Sequence, residues 1–222
     1  KRYDRVNKVI LLDFDGTITS RDTTKILLIE LLLLRPWQIF GAAWFLFRMV
    51  FATGSGSKQR QKNNAVGHLI NGLTDGDMNR ALGQFSDKVR SLYRPSMLKK
   101  IKESIENGTS ILIVTASPSF VISHCVSDLP VTVIGTEFKK RGDFYCRQIN
   151  GKNCYGDEKV NRIEFWRQDK GINCSFTEAW SDHFSDYPML KMAKQRYWIG
   201  GSALREVVGL NDPSGKFVFC EY

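Results

Sequence analysis

Apolar residues occur in two patterns along this chain. Short, nearly unbroken apolar runs read as buried strands over 8–13, 111–115, 131–137, 144–149, 176–181, 196–199 and 216–219. Between most of them the apolar positions recur at helical spacing. Strands alternating with helices predict an α/β fold, a doubly wound and mostly parallel sheet. One connection departs from that pattern. Phe138-Lys139-Lys140-Arg141-Gly142-Asp143 has turn chemistry and predicts an antiparallel hairpin between 131–137 and 144–149.

Residues 20–94 show no convincing strand, which predicts a helical insert after the first one. Its apolar section, 26–51, is broken by Arg35-Pro36 and interrupted by Arg48. Neither piece reaches the roughly 20 apolar residues that a membrane span needs. Two shorter helices folded as a hairpin are expected, followed by a flexible loop at Gly54-Ser55-Gly56-Ser57. Trp37, Phe40, Trp44, Phe45, Phe47 and Phe51 precede Lys58, Arg60 and Lys62. Aromatics beside a basic cluster predict peripheral contact of 37–62 with an anionic membrane or a lipid tail. A helical pair buried on the core is the alternative, and a tilted span is disfavoured. Arg35, Arg48, Lys58 and Arg60 are expected on a solvated face, with a head group as their other use. The expected division is a core of 1–19 and 95–222 and a helical domain of 20–94.

At 222 residues the chain holds one full core and a smaller accessory domain. Its formal net charge of +9 suggests anionic partners, such as phosphorylated metabolites, anionic lipid or nucleic acid. No nucleic-acid-binding module is recognisable, so none is expected as a partner. The cysteines, Cys125, Cys146, Cys154, Cys174 and Cys220, are odd in number and irregular in spacing. A disulfide framework and a zinc site are therefore not expected, and a reducing compartment fits. The polar first residues show no signal peptide. The expected location is the cytoplasm, at the inner face of the membrane if the substrate is a lipid.

The first strand ends in Asp13 and Asp15, followed by Gly16 and Thr17. Carboxylates at such a strand end sit where open α/β sheets bind ligands, and they need a cation. Thr115-Ala116-Ser117 ends another strand just before Pro118 opens a helix, Lys159 starts a helical stretch, and Asp182 and Asp186 follow the strand at 176. A parallel sheet gathers all of them at one edge. Thr115 and the helix start would hold phosphate oxygens, Lys159 would neutralise charge, and the carboxylates would hold Mg²⁺.

In this order Asp13-Phe14-Asp15-Gly16-Thr17, Thr115, Lys159, and Asp182 with Asp186 resemble the four motifs of the haloacid dehalogenase (HAD) superfamily, over 8–190. The helical insert resembles a C1 cap, as in phosphoserine phosphatase relatives, on a Rossmann-like core. A finer resemblance is to the phosphatidylglycerophosphatase C type. It rests on Leu112-Ile113-Val114-Thr115-Ala116-Ser117-Pro118, the hairpin before Cys154, Gly156-Asp157-Glu158-Lys159-Val160, Ser181-Asp182 and Asp186-Tyr187-Pro188-Met189-Leu190. Ala116 and Ser181 stand where the family often has glycine, and both are small.

The resemblance implies Asp13 as nucleophile, forming an aspartyl-phosphate, and Asp15 as general acid and base. It implies phosphate held by Thr115, Ala116 and Lys159, and Mg²⁺ held by the Asp13 carboxylate, the Asp15 carbonyl and Asp182. Asp186 supports the metal's waters or Lys159. The implied substrate is a phosphate monoester, with a lipid phosphate such as phosphatidylglycerophosphate as one form. The alternatives are a small soluble metabolite of the phosphoserine kind, or a non-catalytic phosphate-binding protein. An acid at Asp15 favours phosphate over halide, because a leaving alkoxide needs a proton and a halide does not. Arg21 and Asp22 are expected to hinge the cap or meet substrate. His183 is expected at the rim, near the motifs like His124, and the three histidines have no metal spacing. Gly200-Gly201-Ser202 reads as a strand-to-helix turn rather than a nucleotide fingerprint.

Overall fold

The computed structural model describes residues 7–171 and 173–219. Cys220 and residues 1–6, on which the expectations about cysteine usage and the chain start partly rest, lie outside them. Strand β1 (Asn7–Leu12) leads into four helices, α1 (Thr24–Leu34), α2 (Ile39–Val50), α3 (Ser55–Ile70) and α4 (Asp75–Arg90). A 3₁₀ turn, Pro36–Gln38, separates α1 from α2. Then come α5 (Pro95–Glu106), β2 (Ser110–Pro118), α6 (Ser119–Cys125), β3 (Thr132–Thr136), β4 (Phe138–Arg141) and β5 (Phe144–Ile149). The rest is α7 (Asp157–Asp169), β6 (Cys174–Ser181), α8 (Tyr187–Leu190), β7 (Gln195–Gly200), α9 (Ser202–Asn211) and β8 (Lys216–Phe219).

Six strands form one parallel sheet in the order β3-β2-β1-β6-β7-β8. The unbroken apolar runs follow from this placement, because a sheet covered by helices on both faces buries both sides of its central strands, as over Val9–Leu12 and Ile111–Thr115. In β1, Ile10 and Leu12 enter one core with Ile111 and Ile113 of β2. Val9 and Leu11 enter the other, with Leu112, Val114 and Trp198. The doubly wound α/β expectation therefore holds. The chain leaves β1 toward β2 on one side, and β6 lies on the other, so the crevice between β1 and β6 is the switch point of the sheet.

The helical insert between β1 and β2 is present as expected, with three differences of detail. First, α1 and α2 do not fold onto each other as a hairpin. The chain turns at Arg35-Pro36, then α1 packs chiefly on α4 and α3 while α2 packs on α3. Second, the expected loop at 54–57 is shorter. Gly54, at φ +76°, caps α3, and helix begins at Ser55. Third, the hairpin is β4 with β5, turning at Gly142 with φ +58°. Residues 132–136 instead pair in parallel with β2, because their side chains complete that edge of the main sheet.

Among the described residues no helix is long and apolar enough to cross a membrane. Cys125, Cys146, Cys154 and Cys174 are free thiols.

Candidate active site

The carboxyl ends of β1, β2 and β6 and the start of α7 enclose a cleft of about 530 Å³. Asp13, Asp15, Thr115, Ala116, Lys159, Asp182 and Asp186 all line it. Arg21, Asp22 and His183 stand at its wall as well, and α3 adds Lys58, Gln59 and Lys62. His124 sits in the last turn of α6 and is not part of this lining. Arg35 is spent elsewhere, donating to the Asn71 carbonyl at 2.8 Å and the Gly72 carbonyl at 3.1 Å.

Asp13 is the first residue past β1, and its N–H donates to the Trp180 carbonyl of β6 at 3.0 Å. The chain then coils tightly, with the Phe14 carbonyl accepting from the N–H groups of Thr17, Ile18 and Thr19. Gly16 makes that coil feasible with φ +85°, a region that other residues avoid. It also makes room: a Cβ at Gly16 would lie 1.9 Å from Asp182 Oδ2. Glycine is therefore what lets the Asp182 carboxylate close on the loop after β1. The Thr17 hydroxyl lies 3.4 Å from Asp13 Oδ2 and 3.5 Å from Asp182 Oδ1, between the two carboxylates.

Lys159 reaches in from the first turn of α7, whose start is set by Gly156 at φ +59°. Its ammonium donates to Asp13 Oδ1 and to Asp186 Oδ2, each at 2.7 Å. Ser181 Oγ donates to the same Asp186 oxygen at 2.7 Å. Lys159 is almost wholly buried, as are both its carboxylate partners. The pair of carboxylates offsets its loss of hydration and holds the ammonium charged, with its pKa raised.

Asp15 is held differently. Its Oδ1 accepts from the Thr23 N–H at 2.8 Å and the Thr23 hydroxyl at 2.7 Å. Its Oδ2 accepts from Ser117 Oγ at 2.6 Å. Burial pushes the Asp15 carboxyl upward and Asp22 adds to that, while the Ser117 and Thr23 hydrogen bonds pull it back. Thr23 and Ser117 are the contributors that motif spacing misses. A signal for Ser117 existed, since period-two alternation in β2 places it on the same side as Thr115.

Carboxylates outnumber cations at the cleft: Asp13, Asp15, Asp22, Asp182 and Asp186 line it with Arg21, Lys58, Lys62 and Lys159. Lys62 pairs with Asp22, and Lys159, the one buried ammonium among these, serves Asp13 and Asp186. Burial, then repulsion from Asp186, pushes the Asp182 carboxyl up to about 7. Burial raises Asp13 too, against the pull of Lys159. Among the described residues, no three His, Cys, Asp or Glu side chains close round a single metal position. The donor set is instead two carboxylates, Asp13 and Asp182, set about one hydroxyl. Excess negative charge on oxygen-only donors facing an open cleft fits a hard divalent cation that keeps several waters.

Solved structures share the fold. A protein of unknown function from Bordetella pertussis Tohama I superposes with a TM-score of 0.80 at 18% identity, covering 96% of this chain and 98% of that one. A phospho-aspartyl intermediate analogue of phosphoserine phosphatase does so at 0.61 and 15% identity, covering 98% and 95%. A phosphoserine phosphohydrolase-like protein from Francisella tularensis subsp. tularensis SCHU S4 gives 0.61 at 15% identity, covering 96% and 94%. No curated protein sequence matches significantly. The sequence pattern of the haloacid dehalogenase-like hydrolases matches residues 10–191, from β1 through the Asp182 and Asp186 loop, and the chain belongs to that family.

Proposed function

We propose that this chain hydrolyses a phosphate monoester through a covalent phosphoryl intermediate on Asp13. The observation that carries this reading is the unlike setting of two carboxyls at one strand end. Asp13 has one oxygen fixed by Lys159 at 2.7 Å and the other facing the cleft beside Thr17. That second oxygen attacks phosphorus, forming an Asp13–phosphoryl bond as the ester oxygen leaves. Asp15, held by Thr23 and Ser117 hydroxyls, gives its proton to the leaving alkoxide. It then takes a proton from the water that attacks the intermediate and frees Asp13. Lys159, Thr115 and the backbone at Ala116 hold phosphoryl oxygens in this scheme, and Asp186 holds Lys159. Asp13, the Asp15 carbonyl and Asp182 would hold Mg²⁺, which when bound draws charge off the phosphoryl oxygens.

A small soluble ester of the phosphoserine kind is the substrate class that the likeness to phosphoserine phosphatase structures supports. A second reading, a lipid phosphate such as phosphatidylglycerophosphate and the phosphatidylglycerophosphatase C type, has a different support: the exposed aromatics of α2. In either reading 20–94 acts as the cap over a core of 1–19 and 95–222. The test is hydrolysis of p-nitrophenyl phosphate, phosphoserine and micellar phosphatidylglycerophosphate, with Mg²⁺ and with a chelator. Asp13→Asn should lower kcat by about 10⁴-fold or more on whichever ester is cleaved. Wild-type turnover in that variant would sink the scheme, and inactivity of wild type on every ester would favour a phosphate-binding role.

A further inference from the structure

The helical insert leaves one apolar face uncovered. Phe40, Trp44, Phe47 and Phe51 follow at intervals of four, three and four residues, so they share one side of α2 and its C-terminal end. All are more than half exposed, Phe40 at 85%. Trp37, in the turn before α2, is 70% exposed. On the opposite side Ala42 and Phe45 are buried, with the Phe45 ring 5.8 Å from that of His68 on α3. The exposed rings form one surface rather than scattered points. Trp44 stacks on Phe47 with centroids 6.2 Å apart, and Phe47 meets Phe51 edge-on at 4.9 Å. A contiguous aromatic patch of this kind marks an interaction surface.

Charge decides the partner. Residues 31–74 contain Arg35, Arg48, Lys58, Arg60 and Lys62 and not a single Asp or Glu. Arg35 is spent on the Asn71 and Gly72 carbonyls and Lys62 pairs with Asp22, so Arg48, Lys58 and Arg60 carry the surface charge. Arg48 lies one turn after Trp44 and is exposed, as are Lys58 and Arg60 in the first turns of α3. A second copy of the chain would bring these like charges face to face. An anionic surface would neutralise them. The shape fits as well: a helix of 12 residues is about 18 Å long. That is short of the roughly 30 Å of a bilayer core, but suits a helix lying in the interfacial plane.

We infer that α2 docks on the surface of an anionic bilayer, with its aromatic face at the headgroup–acyl boundary and Arg48 and Arg60 toward lipid phosphates. Docking places the cleft beside the membrane, because Lys58, Gln59 and Lys62 of the adjoining α3 form part of its wall. The docking stands apart from the catalytic scheme; a membrane-borne substrate rests on that scheme as well.

The experiment is flotation of the purified chain with phosphatidylglycerol–phosphatidylcholine vesicles and with phosphatidylcholine vesicles, alongside the emission of Trp37 and Trp44. Binding to the anionic vesicles with a blue shift is expected, about tenfold or more weaker on neutral ones and in high salt. Phe40→Ser with Phe47→Ser, and separately Arg48→Glu with Arg60→Glu, should each weaken it about tenfold or more while circular dichroism stays unchanged. Asp13→Asn should bind like wild type, and turnover of p-nitrophenyl phosphate on the same samples separates a failure of docking from a failure of the catalytic scheme. Absence of binding to anionic vesicles overturns the inference, as does undiminished binding by the Phe40/Phe47 variant. A dimer that ignores vesicles and is lost in that variant would assign the face to a second copy and overturn it equally.

Discussion

Both oxygens of the Asp15 carboxyl are engaged by neighbours: Ser117 stands two residues past Thr115 in the second motif, and Thr23 lies outside all four. Thr23 holds one oxygen with its N–H and hydroxyl, and Ser117 holds the other at 2.6 Å. If Asp15 delivers the proton, a loosened Asp15 should hurt most where the leaving group needs that proton. Ser117→Ala is therefore expected to slow an alkyl phosphate by about 10²-fold and p-nitrophenyl phosphate only a few-fold. Equal slowing of both esters would mean that Ser117 acts on the fold alone. Gly16 gives a second forecast. A Cβ there lies 1.9 Å from Asp182 Oδ2, and φ is +85°. Gly16→Ala should displace Asp182 and cut Mg²⁺-stimulated hydrolysis by about 10²-fold or more, with an unchanged circular dichroism spectrum. That Asp13, Asp15, Lys159, Asp182 and Asp186 meet in one cleft was legible because each stands at or just past a strand end or helix start, and a parallel sheet brings those together; Thr115 joins them from inside β2, which runs on to Pro118. Thr23 was not legible, since its hydrogen bond depends on how the chain curls back after Thr19, and no periodicity encodes that curl.

The hairpin behaves as a clasp on the helical insert. The Gly72 N–H donates to the Tyr145 carbonyl at 2.8 Å, and the Tyr145 N–H to the Leu73 carbonyl at 2.9 Å. Asn71 Oδ1 accepts from the Arg147 N–H at 3.1 Å, and Lys140 pairs with Asp75 at 2.5 Å. Two strands alone are marginal in water, so β4 and β5 draw their order from α3 and the turn before α4. Hydrogen exchange should accordingly find 71–75 and 138–149 opening together. Tyr145→Pro removes the donor to Leu73 without touching the cleft. It should speed exchange in both segments, by about tenfold for each 1.4 kcal/mol lost. Acceleration confined to the hairpin would show that the two units move separately. At this scale the sequence misled about the hairpin's first arm, as it did about the pairing of α1 with α2 and the loop at 54–57. The turn chemistry near Gly142 was visible, but the apolar run before it belongs to the parallel sheet, and nothing in a short apolar run distinguishes a parallel strand from a hairpin arm.

Across the whole molecule, the basic residues of the helical insert are separate from the ion pair, Arg196 with Asp212, that fastens the chain before β8. The sheet closes at β8, an edge strand, and Asp212, at the end of α9, fastens the chain that leads into it to β7. That buried carboxylate accepts from Arg196 Nη2 at 2.8 Å, from Arg196 Nε at 3.0 Å, and from Trp198 Nε1 at 2.9 Å. The Arg196 hydrogen bond is the main reason that the Asp212 carboxyl is held below its ordinary range, and Trp198 adds to it. A carboxyl lowered in the folded state stabilises the fold above its unfolded pKa, about 3.9, and that contribution fades as pH falls through the lower folded value. Arg196 is partly solvent-exposed, which trims the contribution. Asp212→Asn keeps the shape and removes the charge. Urea unfolding should therefore find the variant about 1–2 kcal/mol less stable than wild type at pH 7, with a narrower gap at pH 3 and an unchanged denaturant slope. A gap that persists undiminished at pH 3 would mean that Asp212 fastens the sheet edge through shape and neutral hydrogen bonds, with its charge contributing nothing.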